Sequence, residues 1–190
     1  MKTRLIVLAT GTLLLAATQA SAKDTLIDLD NASVGGFGGP TFKYSRIMGQ
    51  DSLEIGGMGG ATFTTGKHSI MIGGGGYGLV NEVDENIDMG YGGLVFGYTY
   101  NPEAIAHVDS RLLLGAGSIE ELHNPGSDDD VMGSFLVAEL STQLDVNVTN
   151  FMEIGFGASY RTVTKPSKVN IANKDLSSPS LFISIQFGSL

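Results

Sequence analysis

The side chains able to do chemistry are few and widely spaced. The histidines are His68, His107 and His123. No two stand four apart on a helix or two apart on a strand, so the spacing predicts no metal centre. His107-Val108-Asp109-Ser110 comes nearest to a serine, histidine and acid set. Such a set works through geometry rather than adjacency. A two-residue period puts His107 and Asp109 on one face and Ser110 on the other. His68-Ser69 is divided in the same way, and no catalytic residue is expected. Gly73, Gly75 and Gly78 match a dinucleotide-binding pattern, which needs a helix opening at the glycines. The chain instead continues Leu79-Val80-Asn81-Glu82-Val83, without helical period, and it holds no helix candidate. No cofactor is therefore expected. Without cysteine, disulfide and thiolate chemistry are excluded. His123 lies near Glu120, Glu121 and Asp128-Asp129-Asp130. That run lacks EF-hand spacing. It reads as a solvated acidic loop, open to divalent cations or surface partners.

The other charges gain meaning from the elements that carry them. After residue 33, apolar and small or polar residues alternate, the pattern of strands with two unlike faces. Eight strands are predicted over 34–46, 51–63, 67–80, 87–100, 105–119, 131–146, 151–164 and 180–189. In the sixth, Met132, Leu136, Ala138, Leu140 and Leu144 oppose Phe135, Val137, Glu139, Ser141, Gln143 and Asp145. The seventh and eighth behave alike. Under these registers Lys43, Glu54, Asp109, Arg111, Glu139, Glu153 and Arg161 share the side opposite the apolar face. Buried charges are tolerable only in pairs, and three bases against four acids nearly balance. An eight-stranded barrel leaves a lumen just wide enough for such side chains, so the set is expected to plug it.

Turn lengths tell the two ends apart. Connections near Thr65-Gly66-Lys67, Asn101-Pro102-Glu103 and Asn147 to Asn150 are tight. Those over 80–87, 120–130 and 165–179 are long, and only the one at Met48-Gly49-Gln50 breaks the pattern. Short turns on one side and long loops on the other mark outer-membrane barrels. Phe63, Tyr98, Tyr100 and Phe187 fall near the short-turn end, and Tyr44 and Tyr160 near the long-loop end. All six lie on the apolar face, as an aromatic girdle at each bilayer interface requires.

Composition agrees. Lys2 and Arg4 precede an apolar run over Leu5–Ala17, and Ala20-Ser21-Ala22 fits a cleavage site, so residues 1–22 read as a signal peptide cut after Ala22. The apolar run is too short to span a bilayer as a helix, which takes roughly 20 residues. Removing it leaves nine basic residues against 20 acidic ones, which argues against a nucleic-acid partner. Residues 23–33 form a polar periplasmic lead-in, and 34–190 the barrel domain. Glycine is crowded between Gly35 and Gly117, often in mid-strand. Glycine weakens an isolated strand. The runs are read as sites of sharp curvature, with Tyr77 or Tyr91 covering glycines of an adjacent strand.

Signal peptide, strand count, turn alternation and terminal strand together resemble the small outer-membrane β-barrels, the group like the transmembrane domain of outer membrane protein A. The glycine-rich front, with Gly35-Gly36-Phe37-Gly38-Gly39-Pro40 and Gly73-Gly74-Gly75-Gly76-Tyr77-Gly78-Leu79, looks like a set of glycine-rich bacterial envelope proteins. The resemblance covers residues 34–190. It implies an all-β, eight-stranded, antiparallel, up-and-down transmembrane barrel in the outer membrane of a Gram-negative bacterium, with lipid around it and a non-catalytic structural or surface role. Members of that group usually end in an aromatic residue; here Phe187 would stand in for it. Two other readings remain open. The pattern could be turned inside out, as a soluble secreted lipocalin-like barrel whose Leu136, Leu140, Ile154, Ile183 and Ile185 line a ligand cavity. The barrel could also be a small channel.

Overall fold

The computed structural model describes residues 31–80, 87–121, 131–167, 169 and 171–189. The signal peptide, most of the lead-in, and the acidic run with His123 and Asp128–Asp130 lie outside these residues. Eight strands form: β1 (Ser33–Ile47), β2 (Gln50–Thr65), β3 (His68–Leu79), β4 (Ile87–Tyr100), β5 (Ala106–Glu121), β6 (Val131–Thr149), β7 (Met152–Val163) and β8 (Ser178–Ser189). Each pairs antiparallel with the next, and β8 returns to β1, closing an up-and-down barrel. The alternating pattern thus marks the strands, and their ends lie within three residues of expectation. β6 extends furthest beyond its expected end, because its ladder with β7 continues past an irregularity between Asn147 and Thr149.

The β1–β2 hairpin turns on two residues with positive φ, Met48 at 53° and Gly49 at 80°. Two left-handed residues match the twist of the flanking strands, which explains how this connection stays short on the long-loop side. One element departs from expectation. A single helical turn, α1 (Asn173–Leu176), lies in the β7–β8 connection. Four residues are too few to show a helical period, so the sequence pattern could not reveal it.

The barrel wears its apolar side chains outward. Leu94, Leu136, Leu140 and Leu181 are 61%, 63%, 60% and 65% exposed. The charged faces turn in: Glu139 is 4% exposed and Arg161 not at all. The lipocalin-like reading fails on this point, since Leu136, Leu140 and Ile183 face outward rather than into a cavity.

The glycines serve closure. At Gly115 a β-carbon would stand 2.0 Å from the Gly92 carbonyl oxygen of β4, and at Gly93 one would stand 2.2 Å from that of Leu114. Strands coiled into so narrow a ring leave their inner faces no room for a side chain at these crossings. Aromatic cover is present at Gly56, where the Tyr77 ring would lie 2.4 Å from an added β-carbon. Among the described residues, no Tyr91 ring atom is one of the three nearest neighbours of a β-carbon added at a glycine. Its ring packs at a tilt against that of Tyr77, with centroids 5.4 Å apart, and its hydroxyl turns into the charged lumen. On the outer face, Pro40, Gly57, Gly76, Gly92 and Ala116 fall in register and make a low band across five strands.

Candidate functional site: the charged lumen

All seven charges singled out by the strand pattern are buried inside the barrel, together with Asp145 and His107. They sort into two networks and a cork.

The cork is at the long-loop end. The β7–β8 connection folds back over the mouth. Its Val169, Ile171 and Leu176 pack with Ile47, Met89, Ile119, Phe135 and Val163 of the wall. The Met48 N–H donates to the Asp175 carbonyl at 2.7 Å, and the Val163 N–H to Ser177 Oγ at 3.1 Å. Sequence reasoning treated 165–179 as an external loop. The one signal it offered was three spaced apolar residues in an otherwise polar run.

Beneath the cork lies the first network. Lys43 pairs with Glu139. The Tyr91 hydroxyl donates to the second Glu139 oxygen at 2.6 Å, and the Lys43 ammonium sits 3.3 Å from the centre of the Tyr77 ring. Arg161 donates to Glu54 at 2.6 Å and, through Nε, to the Leu176 carbonyl at 3.0 Å. Its guanidinium lies 4.9 Å from the Tyr91 ring centre. Ser45 donates to the remaining Glu54 oxygen at 2.6 Å. Two cations meet two carboxylates, and every carboxylate oxygen has a donor, which favours tolerance of buried ion pairs, while Arg161 Nη2 is buried with no hydrogen-bond partner among the described residues. Arg161 also ties the network to the cork.

The second network is nearer the short turns. Arg111 pairs with Asp109 and donates to Gln186 Oε1 at 3.0 Å. Gln143 Nε2 donates to Asp145 Oδ1 at 2.6 Å, and Ser184 donates to Gln143 Oε1 at 3.2 Å. His107 Nε2 lies 3.8 Å from Glu153 Oε1. Asp109 Oδ1 and Asp145 Oδ2 are buried with no hydrogen-bond partner among the described residues. Here one guanidinium meets three carboxylates. The strand pattern already placed Asp145 on the inward face, but its direct pairing opposite His107 emerges only in the β5–β6 register.

The residues nearest to a serine hydrolase set are divided. Ser110 lies on the outward face beside Thr142, away from His107 and Asp109. Ser69 is buried inside, while His68 lies on the outer side, 2.7 Å from the Tyr98 hydroxyl. Tyr44, Tyr98, Tyr100, Tyr160 and Phe187 are exposed and Phe63 half-buried, all with outward parity. Exposed aromatics also occur away from the strand ends, at Phe42, Phe96 and Phe156.

Among solved structures, Neisserial surface protein A superposes with a TM-score of 0.58 at 11% identity, covering 82% of this chain and 97% of that one. The fold is that of the small eight-stranded outer-membrane β-barrels. Two further barrels align over similar lengths at lower scores: Ail, the attachment invasion locus protein of Yersinia pestis (TM-score 0.47, 12% identity, 82% and 97% covered), and the N-terminal β-barrel domain of Pseudomonas aeruginosa OprF (0.48, 12%, 80% and 96%). No family model and no curated protein matches the chain.

Proposed function

We propose that this protein is a non-catalytic barrel of the bacterial outer membrane, closed to ion flow and serving a structural or surface-interaction role. The observation that carries this is the inverted surface. A belt of leucine, isoleucine, valine and phenylalanine faces out while eight charged side chains are buried. In water such a belt would far exceed the apolar patches soluble monomers tolerate. In a bilayer it is the side that lipid solvates, and the aromatic residues Tyr44, Phe63, Tyr98, Tyr100, Tyr160 and Phe187 suit the interfaces. The closed reading rests on the cork and on the paired charges of the first network. The long connections would face outward from the cell. Their acidic residues, most of them outside the described part of the chain, are where divalent cations or surface partners would meet the protein.

Cell fractionation with heat-modifiable migration of the detergent-extracted barrel tests residence; recovery in the soluble periplasm would reject it. Planar-bilayer recording tests closure. The wild-type barrel is expected to give no steady conductance, and stable single-channel steps would favour the small-channel reading.

A further inference from the structure

The second network carries more negative charge than it neutralises. Arg111 is engaged with Asp109. Asp145 and Glu153 are left without a permanent cation among the described residues, although 0% and 4% exposed. Removing carboxylates from water without a compensating cation is costly. Between them stands His107. Its Nδ1 lies 3.3 Å from the Ala104 carbonyl oxygen and so carries the proton donated there. That tautomer leaves a lone pair on Nε2, aimed at Glu153 Oε1 across 3.8 Å. With the imidazole neutral and the carboxyl ionised, two electron-rich atoms face each other. Ligand atoms of His107, Asp145 and Glu153 lie within 4.8 Å of one another. Asp145 Oδ2 is buried with no hydrogen-bond partner among the described residues.

We propose that His107, Asp145 and Glu153 form a divalent-cation site, with zinc as the ion that fits best. One imidazole and two carboxylates are a three-ligand set of the kind zinc takes, with water in the fourth position. An N–H donated to a backbone carbonyl is the usual way a metal-bound histidine is oriented. Calcium would want six to eight oxygens and magnesium a near-octahedral oxygen shell, and neither favours imidazole. A dication also cancels the two surplus charges, whereas a proton on His107 would cancel one. Beside the site, a cavity of about 10 Å³ lined in part by His107, Asp109 and Glu153 has room for a single water. Glu153 also borders an open pocket of about 410 Å³ at the short turns, with Pro102, Asn147 and Met152, the side from which an ion would approach. The site needs only the closed barrel, not the membrane reading.

Chelator-treated protein is refolded in detergent and its heat-modifiable band checked. Zinc chloride is then titrated calorimetrically, with calcium and magnesium chloride as separate arms. The folded wild type is expected to take up one equivalent of zinc. His107→Gln, Asp145→Asn and Glu153→Gln should each weaken uptake by at least about 100-fold, the upper end of the loss seen for an outer-shell partner. His68→Gln, on the outer surface, should leave it unchanged. The three lumen variants give three independent chances of a folded test protein. No saturable zinc uptake by folded wild type, tighter uptake of calcium or magnesium, uptake unchanged in the folded lumen variants, or uptake lost in His68→Gln would each overturn the site. Loss of the heat-modifiable band in wild type would instead count against the barrel reading.

Discussion

Near the long connections, Lys43 and Arg161 face Glu139 and Glu54, and tyrosine and serine hydroxyls complete the carboxylates' hydrogen bonds. Near the short turns, Arg111 is the one guanidinium among Asp109, Asp145 and Glu153, and two carboxylate oxygens have no hydrogen-bond partner among the described residues. β6 and β7 contribute to both halves, and one narrow lumen encloses them. What differs is the count of cations. A balanced network can be a permanent filling, because each charge finds its counter-charge within the chain. An unbalanced one holds a place for something the chain does not supply. The difference teaches that burial of charge inside a barrel is not one phenomenon: stoichiometry separates a structural plug from a receptive site.

The largest effect is expected where balance is broken from within. Arg161→Met leaves Glu54 buried without its cation and removes the donor to the Leu176 carbonyl. Removing one partner of a buried pair typically costs about 3–5 kcal/mol. The urea midpoint for loss of the heat-modifiable band should fall accordingly. Adding Glu54→Gln should recover part of the loss, because the orphaned charge then disappears. If the double variant is no more stable than the single one, the first network is not a paired unit.

Next in size is the cork. Leu176 is fully buried under the mouth. Leu176→Ala should cost about 3 kcal/mol, within the range for truncating a buried leucine. Since the residue sits in a connection rather than a strand, loosening should be local. Trypsin should cut at the exposed Lys174 sooner than in wild type while the barrel band persists. Equal protection of both proteins would mean that the connection is held by its backbone hydrogen bonds, not by its apolar side chains.

These side chains also show how far the sequence could be read. The outward run of Leu136, Leu140 and Leu144 and the inward run of Glu139, Ser141 and Gln143 were legible, because a strand has period two and one slip would invert it. Hence the strands, the closure and the inward charges could be read from pattern. The Arg161 contact with the Leu176 carbonyl could not, because it joins a strand to a connection without period. The grouping of His107, Asp145 and Glu153 was hidden for another reason. Histidine and carboxylates on three different strands come together only once the register is fixed. Linear spacing, which finds metal sites on a single helix or strand, has no purchase on a site built across the hydrogen bonds. Glycine was half legible: its crowding signalled close approach, but which tyrosine would cover which glycine depended on rotamers.

A smaller effect, and one of opposite sign, sharpens the contrast between the halves. Glu139→Gln and Glu153→Gln are the same chemical change. The first strands Lys43 and should destabilise. The second relieves repulsion among surplus carboxylates. In chelator it should leave stability to urea unchanged or raise it by up to about 3 kcal/mol, the scale of two like charges about 5 Å apart at an effective dielectric of about 20. With zinc present the order should reverse, because wild type gains binding energy that Glu153→Gln forgoes. If both substitutions destabilise equally in chelator, the two networks are equivalent and the distinction drawn from their cation counts is wrong.

The smallest effect belongs to a pair that looks much like the first network on paper. Arg46 Nε lies 3.0 Å from Asp51 Oδ1 across the β1–β2 hairpin, close to the 2.6 Å of Arg161 to Glu54. Both are arginine–carboxylate contacts between β-strands. Yet the Arg46 and Asp51 side chains are 70% and 60% exposed. Water and salt screen their attraction and readily solvate whichever partner remains. Arg46→Ala should therefore leave the urea midpoint within experimental error of wild type, at low and at high salt. A fall approaching that of Arg161→Met would show that distance, not desolvation, sets the worth of a charge pair in this barrel. It would also remove the reason for treating an unpaired carboxylate in the lumen as unsatisfied.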